Sequence, residues 1–284
     1  SVVFVAEGDL WRVDAKGGLA ARITTHAGEE RDPSISPDGT TLAFTASYEG
    51  PREVYTMPID GGLPVRRTWD AARVGTTGWT PSGILLYATK AGTDLPSTRL
   101  WRHDLKTDAR GPIPLAQCAE AAFFGESSIV FTRLAFQGSH TDRYTGGTAQ
   151  QLWSFTLPIP DAQTLEAKPL TADYAGTSRR PLAWHDRVAF ISDRSGRMNL
   201  WSMNRDATDL KQHTHHRDFD IANASIDGDR VVYQLGPDLW IHDLLRATDS
   251  KIDIHLASDF DQMRERWISD PAAQVSSAAI SPDG

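Results

Sequence analysis

Arg187-Val188-Ala189-Phe190-Ile191-Ser192-Asp193-Arg194-Ser195-Gly196-Arg197-Met198-Asn199-Leu200-Trp201-Ser202-Met203 reads as an apolar strand, a polar turn carrying Asp and Gly, and a second strand closing on Leu-Trp. The same grammar recurs along the chain. An apolar residue followed by Trp or Tyr stands at Leu10-Trp11, Val54-Tyr55, Leu100-Trp101, Leu152-Trp153, Leu200-Trp201 and Leu239-Trp240. The aromatic positions are 44, 46, 52, 48 and 39 residues apart. Six copies at such a period define a repeat architecture.

Upstream of each doublet lies a run rich in Val, Ile, Phe and Tyr, residues that pack well on a pleated surface. These runs are Val2–Val5, Leu42–Ala46, Ile84–Ala88, Ile129–Thr132, Val188–Ile191 and Val231–Leu235. Turns precede most of them, among them Ser36-Pro37-Asp38-Gly39, Thr80-Pro81-Ser82-Gly83 and Asp227-Gly228-Asp229. There Pro presets φ, and Gly accepts positive φ. A further turn and a short fourth strand, such as Ala21–Thr24 or Lys211–Thr214, follow the doublet. The predicted fold is all-β: a six-bladed β-propeller of four-stranded antiparallel blades, each completing its core against its neighbours. A helical solenoid is excluded because turn signals come too often and no window keeps a helical period. A β-sandwich would not repeat one Leu-Trp motif at this interval. The tryptophans are expected to wedge between blades rather than stack on a ligand.

Apolar residues make up 40% of the 284-residue chain, enough for a core, and the formal charge is −8. An acidic chain argues against a nucleic-acid surface, which needs clustered Lys and Arg. No apolar run approaches the roughly 20 residues that span a bilayer, so neither nucleic acid nor membrane is expected as a partner. The lone Cys118 forms no internal disulfide and does not discriminate between a cytoplasmic and an exported or periplasmic setting.

Val2–Val5 reads as the second strand of its blade, since it leads directly into Leu10-Trp11. Its inner neighbour lies either upstream of Ser1 or in Val275–Ile280. The tail Ala278-Ala279-Ile280-Ser281-Pro282-Asp283-Gly284 repeats the pattern of Pro33-Ser34-Ile35-Ser36-Pro37-Asp38-Gly39. Residues 1–270 are therefore expected to form the propeller. Residues 271–284 are expected to open a following unit, a second propeller, or to supply the ring-closing strand. Between Phe131 and Trp153 the unit is stretched by an insertion, Leu134 to Gln151, that holds Gly138-Ser139-His140-Thr141-Asp142-Arg143-Tyr144-Thr145-Gly146-Gly147-Thr148. Long loops are where propellers place recognition, so Arg143, Tyr144, Gly146, Gly147 and Thr148 are candidate recognition residues. A structural excursion over a neighbouring blade is the alternative.

That Arg143-to-Thr148 stretch followed by Leu152-Trp153 resembles the first propeller of tricorn-type proteases. So do Asp206-Ala207-Thr208-Asp209-Leu210-Lys211-Gln212-His213-Thr214 and Val3-Phe4-Val5 running into Asp9-Leu10-Trp11. The resemblance covers essentially the whole chain in one register. It implies a six-bladed propeller followed by a seven-bladed one, a PDZ-like module and a serine-peptidase core. Ser-Pro-Asp-Gly turns are shared with TolB-like propellers and discriminate less than the Tyr-x-Gly-Gly-Thr insertion. The catalytic residues of such a protease would lie beyond Gly284.

No Gly-x-Ser-x-Gly elbow or comparable nucleophile signature occurs, and no catalytic residue or cofactor is expected here. His213-Thr214-His215-His216 with Asp218 and Asp220 has metal-ligand composition. Alternating strand residues point to opposite faces, however, so a solvated loop is expected instead of a metal site. Glu29-Glu30 and the Asp218/Asp220 pair are carboxylate pairs whose separation alone would give them meaning. The inner strands line the axis, which makes their first residues the candidate contact surface: Arg31, Asp32, Arg73, Glu120, Arg179, Arg180 and Asp220. Converging arginines would hold or steer a peptide carboxylate; the plainer alternative is ion pairing between blades. The leading functional reading is a non-catalytic propeller of a tricorn-like serine peptidase that guides or gates peptides and contributes to a homo-oligomer. Its partners would be the remaining domains of the same polypeptide and peptides. A TolB-like scaffold for protein binding, or a propeller fused to an amidohydrolase-type enzyme, are the rivals.

Overall fold

In the computed structural model, which describes residues 1–136, 143–157, 166–260, 265, 268, 270–275 and 277–282, the repeats become six four-stranded sheets set as blades around a ring. The first blade holds β1 (Val2–Ala6), β2 (Asp9–Val13) and β3 (Gly18–Arg22). The second holds β4 (Glu30–Ile35), β5 (Thr41–Ala46), β6 (Glu53–Pro58) and β7 (Val65–Arg66). The third holds β8 (Val74–Trp79), β9 (Leu85–Thr89), β10 (Arg99–His103) and β11 (Arg110–Pro112). The fourth holds β12 (Glu120–Phe124), β13 (Ser128–Thr132), β14 (Leu152–Thr156) and β15 (Lys168–Pro169). The fifth is β16 (Ser178–Trp184), β17 (Arg187–Ser192), β18 (Asn199–Asn204) and β19 (Lys211–Gln212). The sixth is β20 (Ile221–Asp227), β21 (Arg230–Leu235), β22 (Asp238–Asp243) and β23 (Thr248–Lys251). Among the described residues no helix is long and apolar enough to cross a membrane.

Alternation explains why the doublet repeats. Adjacent strand residues face opposite sides of the sheet, so the first residue of each doublet packs on the following blade and the aromatic on the preceding one. Leu200 joins Leu182, Ala189 and Ile191 against Val231 and Tyr233 of the sixth blade. Trp201 packs on the Val188, Phe190 and Val130 cluster shared with the fourth blade. The central strand divides the same way, with Val188 and Phe190 on one side and Ala189 and Ile191 on the other. Every interface of the ring has such a cluster, including the one between the last and first blades, where Val2, Trp11 and Val13 meet Ile252 and Val232. The wedge reading holds with a gradation. Trp11 is 1% exposed and Tyr55 2%, whereas Trp101, Trp153, Trp201 and Trp240 are half-buried.

A polar relay that the sequence reading missed ends the outer ladder. The expected fourth strands Ala21–Thr24 and Lys211–Thr214 stop at Arg22 and Gln212. Thr24 and Thr214 instead turn their hydroxyls inward to accept the N–H of Leu10 and Leu200, both at 2.8 Å. Thr68 and Thr171 do the same for Val54 and Leu152 at 2.9 and 3.0 Å. The hydroxyls of Thr68, Thr171 and Thr214 then donate to the residue before a doublet, Glu53, Gln151 or Asn199, while that of Thr24 shares its one proton between Asp9 and Glu30. A buried N–H left without an acceptor is expensive, and the relay removes that penalty. An acid or amide just before the doublet, with Thr after the fourth strand, is the signal that marks it.

The first blade departs from the antiparallel plan. Its fourth strand is β24 (Ile254–Leu256), which pairs parallel with β3 in the register Ile254↔Gly18, His255↔Leu19 and Leu256↔Ala20. Gly17, at φ 91°, makes this approach possible, because a Cβ there would collide with the Asp253 carbonyl. The Gly18 N–H donates to that carbonyl at 2.8 Å. Ser258 Oγ donates to Glu7 Oε2 at 2.5 Å, and Arg22 pairs with Asp259 at 3.0 Å, tying the segment along the outside of the blade. The described residues of 275–280 lie in no strand. Within the described residues the segment that directly follows the sixth blade thus adds to the outer edge of the first.

Candidate functional site

The first strand of each of the second to sixth blades lies nearest the axis, and most of these inner strands are broken by a bulge. Register shifts occur between Arg31 and Ser34, Thr76 and Gly78, Arg179 and Leu182, and Ala222 and Ser225. In three of them one non-glycine residue takes the left-handed conformation: Asp32, Arg180 and Asn223, at φ 53°, 54° and 51°. Bulges re-aim side chains and concentrate near functional sites.

Glu120 is where the candidate residues converge. Arg179 Nη2 donates to its Oε1 at 2.7 Å across the seam between the fourth and fifth blades. The backbone N–H of Arg180 and Gln150 Nε2 donate to its Oε2 at 2.9 and 3.2 Å. The Arg179 guanidinium also lies 4.0 Å from the centre of the Phe136 ring. Burial alone would raise the Glu120 pKa, but the charges of Arg179 and Arg180 and the Arg180 N–H outweigh it and hold the carboxyl below its ordinary range.

The other candidates stay apart. Arg31 is exposed and bonded to Glu29 at 2.8 Å. Arg73 is exposed, and its carbonyl accepts the Lys90 N–H at 2.9 Å. Asp220 is exposed and accepts the Met198 N–H at 2.8 Å. Asp32 Oδ2 accepts from Thr45 at 3.0 Å.

Glu30 occupies in the second blade the place Glu120 has in the fourth, the first residue of the inner strand, and it has no arginine. It is fully buried, accepts from Tyr48 Oη at 2.5 Å and Thr24 Oγ1 at 3.0 Å, and faces Asp9, which is paired with Arg22. Burial, with help from the Asp9 charge and against the bonds from Tyr48 and Thr24, pushes Glu30 up to about 7. Below about pH 4.5 both folded and unfolded states hold the proton, so nothing is lost there. Between 4.5 and 7 only the unfolded state releases it, and stability falls by roughly 3 kcal/mol in total. Glu30→Gln cannot ionise, so its urea stability is expected to match wild type at pH 4 and exceed it at pH 8. Parallel pH curves for the two proteins would refute a protonated Glu30.

The histidines do not gather round one point. His213 Nε2 lies 2.8 Å from Ser202 Oγ, with its ring against Trp184 and His242. Burial, and then His242, push its pKa down to about 4. His216 Nε2 bonds Tyr233 Oη at 2.9 Å, while His215 and Asp218 are exposed. Among the described residues no group of three or more His, Cys, Asp or Glu side chains is placed to hold a metal ion.

Of the insertion, Gly138–Asp142 lies outside the described residues. In the remainder Thr148 Oγ1 donates to Tyr144 Oη at 3.0 Å. Gly146 sits so close beneath the Tyr144 ring that a Cβ would collide with its hydroxyl, while Arg143 and Gly147 are exposed. A separate groove of 270 Å³ on the flank between the third and fourth blades is lined chiefly by Leu115, Phe131, Arg133 and Trp153.

A family model described as the tricorn protease N-terminal beta propeller domain matches residues 1–248. Tricorn protease homolog 1 of Streptomyces coelicolor is 33% identical over 260 residues, 90% of this chain and 24% of that protein. The tricorn protease homolog of Saccharolobus solfataricus is 26% identical over 271 residues, 94% of this chain and 25% of the relative. Among solved structures, the tricorn protease superposes with a TM-score of 0.77 at 24% identity, over 88% of this chain and 25% of its own. TolB from Acinetobacter baumannii superposes with a TM-score of 0.63 at 16% identity, over 85% of this chain and 58% of its own, a likeness of fold alone. The chain spans about a quarter of the length of the curated relatives described here.

Proposed function

Because the chain belongs to the family of tricorn protease N-terminal β-propeller domains, we propose that it is a non-catalytic module of a longer serine-type peptidase. In this reading the ring guides or gates short peptides beside a catalytic core, lends surface to a homo-oligomer, and is followed from residue 271 by a further unit. The match over residues 1–248, to relatives about four times as long that are named as proteases, carries the proposal. The chemistry of the ring fits it. The buried acids Glu30 and Glu53 and the part-buried Glu120 are bonded to Thr, Tyr or Arg within or between blades, which suits a scaffold more than a reacting centre.

The polypeptide purified from its source tests this. A mass of about 110–120 kDa, the weight of two propellers and a peptidase core at ordinary domain sizes, together with hydrolysis of short peptides, is expected. A mass close to the 31.2 kDa of this chain would instead favour a free-standing, TolB-like scaffold that docks a protein partner.

A further inference from the structure

One guanidinium links a buried carboxyl to the strap, residues 254–260, that leaves the sixth blade. Glu30 begins β4, is fully buried, and donates its N–H to the Gly8 carbonyl at 2.9 Å, which places it on the seam between the first and second blades. The groups facing it are Asp9 of β2, Thr24 just after β3, and Tyr48 just after β5. The Tyr48 ring in turn carries His26 at 4.0 Å and Tyr55 at 4.8 Å, centre to centre. Glu29 and Arg31, its exposed chain neighbours, pair with each other at 2.8 Å. Among the described residues Glu30 has no ion pair of its own.

Arg22 is the cation paired with this cluster, and two aspartates divide it. Its Nε and Nη2 bond Asp9 Oδ2, the former at 3.0 Å, while its Nη1 bonds Asp259 Oδ1 at 3.0 Å. The two ends differ in setting: the Asp9 side chain is 4% exposed and that of Asp259 54%. Asp259 lies in the strap after β24, where the Phe260 N–H donates to Ser258 Oγ at 2.9 Å and Ser258 to Glu7 at 2.5 Å. Charges act strongly on one another inside a protein, whereas an exposed ion pair contributes little. A second negative charge beside Asp9 therefore outcompetes Asp259 for the guanidinium.

We propose that Arg22 is a pH-sensitive clasp: when Glu30 ionises, the guanidinium turns onto the Asp9–Glu30 pair, lets go of Asp259, and loosens the strap on β3. Glu30 titrates at about 7, and its charged form opens the clasp. The strap is thus held in mildly acidic solution and loosened in mildly alkaline solution. The test is hydrogen exchange of the folded chain, read by mass spectrometry at about pH 6 and pH 8.5, with rates referred to those of unstructured peptide at each pH. In wild type the protection of residues 254–260 is expected to fall about fivefold between the two, the upper end for one exposed ion pair. The outer strand β23, which lies in another blade, should keep its own. Glu30→Gln should hold the strap at both pH values. Asp259→Asn should loosen it already at pH 6 with no further change, and it carries the test if Glu30→Gln does not fold. A strap equally protected at both pH values in wild type, a pH response that survives Glu30→Gln, or full protection in Asp259→Asn at pH 6 overturns the clasp. So does an equal loss in β23, which assigns the change to the domain as a whole and not to the strap.

Discussion

Glu120→Ala is expected to destabilise the propeller by about 3 kcal/mol, the lower end of the loss typical of removing one partner from a buried ion pair, since the Glu120 side chain is 13% exposed. The carboxylate serves four donors on two blades, and its loss leaves the Arg179 guanidinium, 16% exposed, without its anion. Glu120→Gln keeps an acceptor for the Arg180 N–H and should lose less. Removing both charges, as in Glu120→Met with Arg179→Met, should recover most of the deficit, since a well-packed apolar pair can replace a buried ionic one. Urea unfolding of the four proteins separates these cases; a double variant no better than Glu120→Ala would show that the pair's charges are not what the single variant lacks. The pH dependence should carry the opposite sign from that of Glu30. A carboxyl held below its ordinary range stabilises at neutral pH, and that contribution is lost as acid protonates it. Two glutamates at the same place in two blades thus bound the stable range from opposite sides.

Trp11→Ala is the second large effect, about 4 kcal/mol, because the ring is 1% exposed in the interface that joins the first and last blades. Its Nε1 also donates to the Ala6 carbonyl at 3.0 Å. A loss of that size corresponds to a melting shift on the order of 10 °C in a domain of this size. Trp201→Ala, from a half-buried position, should shift the melt by roughly half as much. Circular dichroism melts decide it, and equal shifts for the two would contradict the graded burial of the doublets.

The doublets made the blades legible because alternation forces each Leu-Trp pair to serve two neighbours, so one local pattern encodes two long-range interfaces. What joins the ring left no such trace. Ile254–Leu256 pairs parallel to β3, needs no hairpin turn, and carries no doublet, whereas the tail at 278–284 repeats a turn pattern. Glu30 and Glu120 show the same limit at the inner wall. Both begin an inner strand, yet Arg179 reaches Glu120 from 59 residues away while Tyr48 and Asp9 meet Glu30. Position is local in sequence, and partnership is not. The bulges were equally hidden, since Asp32, Arg180 and Asn223 share a backbone conformation and no common chemistry.

The parallel seam between β3 and β24 also sets the order in which the molecule can be made. Gly18 must wait for Ile254, some five blades of synthesis later, before its outer partner exists. Until then the outer edge of β3 emerges from the ribosome unpaired, a surface on which another chain can add. Hairpins within blades close quickly, whereas the seam spans almost the full contour of the chain, and closing so long a loop is slow. Folding should therefore proceed blade by blade and finish at the seam, leaving an incomplete ring as the species a chaperone meets.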